Sequence, residues 1–392
     1  MASRDPHILP LGITNFREDR RRFGIRRRDR RQHVYVIGQT GTGKSTLLET
    51  MIRSDLDAGE GLALLDPHGD LVDRIRRAVP GKRLKDLVYF DVPRSEGRYG
   101  FNPLRNVPGA RRAVAASGLL DAFRKFWEDS WGPRLEHILR NALLTLLEQP
   151  EATLADVLRL LNDEHYRRAA VLRVENAQVR AFWLNEYGKY PARFQIEAIA
   201  PIQNKVGAFL ADPLLYRLLT ERRQAFDLQD VMDRGKVLLV NLSKGELGQD
   251  SAGLLGALLV TAIGNAAFTR SNRPIASRRD FWLYLDEFHT FTTMSVVSML
   301  SELRKYRVGL ILAHQYLAQL ELPVRDAILG NVGTLIAFRV GASDAELLEQ
   351  EVRPPFTAGD LTRLPNHHVY LKLLVDGVPS PPFSAETVRP WD

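Results

Sequence analysis

The residues with the clearest chemical purpose lie in YVIGQTGTGKST, Tyr35 to Thr46. The spacing matches G-x-x-x-x-G-K-[ST] at Gly38, Gly43, Lys44 and Ser45. Gly38, Gln39, Thr40, Gly41, Thr42 and Gly43 would form a loop whose backbone N–H groups face the β-phosphate of a nucleoside triphosphate at a helix N-terminus. Lys44 would reach the β- and γ-phosphates, the Ser45 hydroxyl would ligate Mg2+, and Thr46 would lie near the α-phosphate. ATP and Mg2+ are the ligands expected.

A second stretch, FWLYLDEFHTF, carries an apolar run into Asp286 and Glu287. Asp286 is placed to hold Mg2+ through water, and Glu287 to polarise an attacking water. Two adjacent carboxylates at a strand end, beside a triphosphate site, predict hydrolysis. The competing reading is an acidic pair that caps the next helix. In LLDPHGD, Asp66 and His68 also follow an apolar run. They either approach the phosphates or belong to a turn, with Asp70 capping the following helix.

A third stretch, LRKYRVGLILAHQ, places Arg304, Lys305 and Arg307 before or at the start of an apolar run that ends at His314 and Gln315. Parallel strands put their C-terminal ends on one edge, where ligands bind. Gln315 therefore belongs with Lys44 and Asp286, as a neutral amide that senses the γ-phosphate or its water. Arg304 belongs to the opposite end, about 20 Å away across the strand. It cannot easily serve its own subunit's ATP but could serve a neighbour's, as an arginine finger in trans. The alternative is a surface cation at a helix C-terminus. Lys305, Arg307 and Arg339 compete for the finger role.

These residues require a scaffold of parallel strands. Strands are expected at His33–Ile37, Leu62–Leu65, Leu87–Phe90, Val237–Leu242, Phe281–Leu285, Val308–Ala313, Thr334–Val340 and His368–Val375, apolar on both faces and separated by helical segments. The pattern is that of an α/β doubly wound domain. It breaks between about 101 and 234, where HILRNALLTLLE and TLADVLRLLN show helical spacing and Thr153 with Asp156 resembles a capping pair. This is read as an all-α domain inserted into a discontinuous nucleotide-binding domain, 33–100 and 235–392. Near the C-terminus a turn is expected at Asp376–Gly377, followed by a proline-rich tail.

Composition sets bounds. The chain has 392 residues, 45% of them apolar, and no cysteine, which excludes disulfides, thiolate metal sites and cysteine nucleophiles and fits a reducing cytosol. Net charge is +7, but residues 1–32 alone hold ten arginines against four acids. The excess belongs to a basic N-terminal arm that could track phosphates or an anionic membrane face, or form local ion pairs. The 101–234 region is nearly balanced, with 19 basic and 17 acidic residues. Ser251 to Thr269 is uncharged and nearly long enough to span a bilayer, but its glycines, alanines, Thr261 and Asn265 suit a buried helix pressed against a sheet.

Together, RRQHVYVIGQTGTGKSTLL, LLDPHGDL, FNPL, WGPRLEHILRNALL, VLLVNLSKGELG, LDEFHTF, LRKYRVGLILAHQ and GTLIAFRVGASDA resemble the coupling proteins of type IV secretion systems, conjugative DNA-transfer ATPases of the HerA/FtsK group. The resemblance runs from about Ile25 to the C-terminus. It implies a RecA-like fold and an ATP-hydrolysing DNA translocase working as a homohexameric ring. By position it gives Lys44 and Ser45 the Walker A roles, Asp286 and Glu287 the Walker B roles, Gln315 the sensor role and Arg304 the trans finger. The helical insertion matches the domain implicated in recognising DNA or its bound relaxase. Two other functions stay open: an ATP-switched adaptor that recruits a relaxase or effector protein, and a HerA-like repair or defence motor. Membrane-bound members begin with two transmembrane helices, whereas some 32 mostly polar residues precede the first strand expected here. The expectation is a cytoplasmic chain, peripheral at the inner membrane face or docked to a separate membrane subunit.

Overall fold

The computed structural model describes residues 8–16, 20–95, 100–105, 107–128, 131–221 and 226–390. The chain forms two compact units. The first comprises Met1–Val92, Leu228–Gly245 and Ala267–Asp392; the second comprises Pro93–Asp227 and Glu246–Ala266.

The first unit is built on strands β1 (Ile8–Thr14), β2 (Arg22–Arg26), β3 (Val34–Ile37), β4 (Gly61–Asp66), β5 (Leu87–Asp91), β6 (Val237–Asn241), β7 (Phe281–Leu285), β8 (Val308–His314), β9 (Thr334–Ala337), β10 (His368–Lys372), β11 (Leu374–Val375), β12 (Val378–Pro379) and β13 (Phe383–Thr387). Eleven of them form one sheet, in the order β2-β1-β13-β10-β9-β3-β8-β7-β4-β6-β5. From β9 to β5 every pairing is parallel. Strands β3, β4, β6, β7, β8 and β9 are buried at every position, as a sheet covered on both faces requires. The order β3-β8-β7-β4 brings the ends of four strands side by side, in register from Ile37 opposite His314 to Leu65 opposite Leu285.

From β10 to β2 the sheet continues antiparallel. Here the structure departs from the sequence reading. Much of the expected basic arm is not an arm: twelve of its residues form β1 and β2, with Leu9, Leu11 and Ile25 buried. At Gly24 a β-carbon would fall 2.1 Å from the Leu9 carbonyl oxygen, so the two strands can approach only with glycine there. The density of arginine masked this alternation. Six of the arginines are paired. Arg20 meets Glu386 at 3.0 Å, Arg27 meets Glu60 at 2.6 Å, Arg31 meets Asp280 at 2.8 Å, and Arg26 and Arg28 both meet Asp376. Arg30 is fully buried, bonded to Asp55 at 2.8 Å and stacked on Trp282 at 3.5 Å. Arg4, Asp5, Arg17, Glu18 and Asp19 lie outside the described residues. Asp376 and Gly377, both at positive φ, form the two-residue turn between β11 and β12, and the expected tail contains β13.

The second unit is helical, with helices including Arg112–Phe126, Pro133–Leu146, Asp156–Asn162, Glu164–Leu172, Ala192–Leu210 and Pro213–Thr220. Ile138, Leu139, Ala142, Leu143 and Leu146 repeat at helical spacing and are fully buried. Asp156 accepts from both the N–H and the hydroxyl of Thr153, at 2.8 and 3.0 Å. The boundaries differ from those drawn on sequence, because most of the helix Gln249–Thr269 belongs to this unit. That helix is long and apolar enough to cross a membrane, but 72% of its most apolar window is buried. It packs on another helix at Gly118, where a β-carbon would come within 2.5 Å of the Thr261 methyl. A helix that is apolar all round carries no face from which its partner can be read.

Candidate active site

The loop after β3 is stitched to its neighbours. The Gly38 N–H donates to the His314 carbonyl at 3.3 Å, and the Gln39 N–H to the Arg339 carbonyl at 2.8 Å. The Thr42 hydroxyl closes the loop on the Gln39 carbonyl at 2.7 Å. Gly41 and Gly43 hold φ of +78° and +118°, a region that L side chains rarely adopt. Gln39, Thr40 and Gly41 form the exposed tip. Lys44 opens the helix Lys44–Asp57, and its ammonium donates to the Gly38 and Gln39 carbonyls at 2.6 and 3.2 Å. Burial lowers its pKa, while Glu287 and Asp286 oppose that shift. Thr46 lies in the first turn of that helix, and its carbonyl accepts the Thr50 hydroxyl at 3.0 Å.

The Ser45 hydroxyl donates to Asp286 at 3.3 Å, so the two groups expected to share Mg2+ already face each other. Burial first, then the charges of Asp66 and Glu287, push the Asp286 carboxyl up to about 7, against the pull of Lys44. Among the described residues no three His, Cys, Asp or Glu side chains could by themselves hold a metal. One hydroxyl and one carboxylate beside a phosphate pocket fit Mg2+, which keeps waters and takes substrate oxygens. Glu287 sits in the left-handed region, at φ 45° and ψ 48°. A non-glycine residue held there costs roughly 1–3 kcal/mol and persists where its surroundings fix it. Gln315 supplies one such restraint, donating from its amide to Glu287 Oε1 at 2.9 Å.

Asp66 takes the turn role. It accepts the N–H groups of His68, Leu71 and Val72 at 2.8–3.0 Å, capping the helix Asp70–Ala78. Asp70 is instead that helix's first residue, and His68 is exposed. Asp66 reaches the site only through its charge on Asp286.

The four cations compared in the sequence separate clearly. Lys305 pairs with Glu302 at 3.0 Å, and Arg307 donates to the Arg278 carbonyl at 3.1 Å. Arg339 lies at the nucleotide edge, donating to Gln39 at 3.3 Å, to the Leu364 carbonyl at 3.0 Å and to Asn366 at 3.1 Å. It braces this chain's own phosphate loop. Arg304 is exposed on the turn Leu303–Tyr306, at the far end of β8, and its side chain makes no hydrogen bond or ion pair among the described residues. Sequence reasoning missed His367, whose N–H donates to the Thr42 carbonyl at 2.8 Å and whose ring packs on Gly43. It also missed His289 and Gln319, which lie beside Glu287 and Gln315. Nothing local marks His367. Gln319 could have been noticed for its i+4 spacing from Gln315.

A strand ending at Gln315 between the phosphate-loop strand and the carboxylate strand is the arrangement of RecA-like P-loop domains, and the chain has that fold. The family model described as the type IV secretion-system coupling protein DNA-binding domain matches residues 23–350, and the chain belongs to that family. Among solved structures, the plasmid coupling protein TrwB in complex with the non-hydrolysable GTP analogue GDPNP aligns with a TM-score of 0.67 at 15% identity, over 93% of this chain and 87% of that one. TrwB in complex with ADP and Mg2+ gives the same values. VirB4 of Thermoanaerobacter pseudethanolicus aligns with a TM-score of 0.66 at 14% identity, over 98% of this chain and 97% of that one. No curated protein sequence matches the chain.

Proposed function

We propose that the chain is an ATP-driven DNA motor of the coupling-protein type, assembled as a homohexameric ring on the cytoplasmic side of the membrane. The observation that carries this is the division of β8. Gln315 at its C-terminal end touches Glu287, while the side chain of Arg304 at its N-terminal end makes no hydrogen bond or ion pair among the described residues. One strand thus serves its own subunit's nucleotide at one end and presents a cation to a neighbour at the other.

In this reading the backbone of Gly38 to Gly43 and the Lys44 ammonium bind the triphosphate. Ser45 and Asp286 hold Mg2+, which when bound neutralises charge on the phosphate oxygens. Glu287 orients and polarises the attacking water, and Gln315 reports the γ-phosphate. A neighbour's Arg304 stabilises charge that develops on the transferred group. DNA is gripped through its phosphates without sequence readout. The phosphate loop residues Gly38, Gln39, Thr40, Gly41, Thr42, Gly43 and Thr46 form the nucleotide cradle.

The near-balanced charge of the 101–234 region favours a second reading, an ATP-switched adaptor that recruits a relaxase or effector through its helical unit. One experiment separates the two: ATPase turnover of the full chain with and without single- or double-stranded DNA at low salt. The motor requires stimulation by DNA. Turnover indifferent to both forms of DNA overturns it and leaves the adaptor.

A further inference from the structure

Glu287 is held by more than Gln315. Its second oxygen, Oε2, lies 3.4 Å from Nδ1 of His289. On the other side of the ring, His289 Nε2 is 3.2 Å from the amide nitrogen of Gln319. The Gln319 amide has a defined orientation. Its Oε1 accepts from the backbone N–H of Gln315 at 3.3 Å and of Tyr316 at 3.2 Å, which only the oxygen can do. Its Nε2, a donor only, therefore faces His289, and the ring nitrogen it meets is the acceptor. In a neutral imidazole the proton then sits on Nδ1, the ring nitrogen nearer the Glu287 carboxylate.

We propose that His289 and Gln319 are positioning residues for the hydrolytic carboxylate, a relay that ties the turn after β8 to Glu287. The proposal rests on the reading of Glu287 as the group that polarises water. Gln315 holds Oε1 directly. The backbone of the same turn fixes Gln319, Gln319 sets the His289 tautomer, and the imidazole lies against Oε2 in a 3.4 Å polar contact that falls short of hydrogen-bond geometry. Glu287 Oε1 is thus bonded to one five-residue turn, Gln315 to Gln319, and Oε2 faces a ring that the same turn orients. A displacement of that turn, such as a sensor amide moving to a phosphate, changes both restraints together. The geometry also accounts for the left-handed backbone at Glu287, since the Thr290 N–H donates to the Glu287 carbonyl at 2.9 Å and brings His289 back beside its carboxylate.

The test uses the full chain and measures DNA-stimulated ATPase kinetics with nitrogen NMR of His289. H289A lowers kcat about tenfold with KM for ATP within about twofold, the scale of an orienting partner. H289N, whose amide nitrogen stands near the position of Nδ1, recovers part of that loss. Q319E keeps acceptors for the two backbone N–H groups but offers no donor to His289. It lowers kcat and moves the imidazole proton away from the Nδ1–H form seen in the wild-type chain. A wild-type ring protonated only at Nε2, an H289A enzyme with unchanged kcat, or an H289N enzyme no better than H289A overturns the relay. E287Q is the control: hydrolysis at the wild-type rate in E287Q overturns the reading of Glu287 itself, whereas an inactive E287Q beside an unaffected H289A removes only the relay.

Discussion

The two ends of the central strands use polar groups in opposite ways. At the C-terminal ends, charges are crowded and buried: Asp286 and Glu287 act on Lys44, Glu287 and Lys44 act on Asp286, and Glu287 stands in an unfavourable backbone conformation. At the N-terminal ends, arginines are spent on carbonyls and carboxylates. Arg270 donates to the Tyr306 carbonyl at 2.8 Å and to the Arg279 carbonyl at 2.7 Å. Arg278 donates to the Lys305 carbonyl at 2.6 Å and to the Arg273 carbonyl at 2.7 Å, and Arg31 grips Asp280 with two bonds. The turn that carries Arg304 is thus bolted down on either side of it, while the Arg304 side chain makes no hydrogen bond or ion pair among the described residues. The lesson is that a count of basic residues says little. Most of the described arginines in residues 20–31 are consumed by the fold, whereas the exposed side chain of Arg304 makes no hydrogen bond or ion pair among the described residues.

The sharpest way to break this contrast is to remove the acting group at each end. R304A is expected to lower turnover about a thousandfold, the scale of an arginine finger, with nucleotide affinity unchanged. Mixing R304A with inactive K44A subunits should restore part of the activity. If mixing is proven and no activity returns, Arg304 does not act in trans. E287Q should lower kcat about a hundredfold or more while nucleotide still binds. The bracing arginines should behave differently. R278A leaves the Lys305 and Arg273 carbonyls without their buried donor and should cost about 2–3 kcal/mol of stability, measured by urea unfolding.

A smaller effect concerns pH. Because burial and neighbouring acids raise the Asp286 carboxyl to about 7, a proton competes there with Mg2+. Mg2+-dependent nucleotide binding should strengthen about tenfold from pH 6 to pH 8, as expected when one proton of that pKa must leave. In the metal-free chain the sign for stability is reversed. The raised pKa favours the folded state below the ordinary carboxylate range, and that contribution is lost as pH rises through about 7. The smallest effect is expected from R20A, which breaks an exposed pair with Glu386 and should change stability by less than about 1 kcal/mol.

The nucleotide site was legible because its signals are local. A phosphate loop needs glycines at fixed spacing, and each acting residue follows an apolar run that can only be a buried strand. The order of those strands then brings Lys44, Asp286, Glu287 and Gln315 together. What was not legible depends on distant partners. Strands β1 and β2 read as a basic arm because the acids that neutralise it, Asp55, Glu60, Asp280, Asp376 and Glu386, lie far along the chain. Arg339 looked like a finger until the fold placed it on its own phosphate loop. Strand β13, short and beside prolines, gave no signal apart from the strands that pair with it.

The position of β8 bears on how motion could pass around a ring. It is laddered to β3 on one side and β7 on the other, and all seven of its residues are buried. A strand so placed cannot slide like a piston, because a slip of one residue would turn every side chain to the wrong face of the sheet. News of a spent nucleotide must therefore travel as the tilt of a stiff block. In the proposed ring, stride length would then be set by the leverage of a whole subunit.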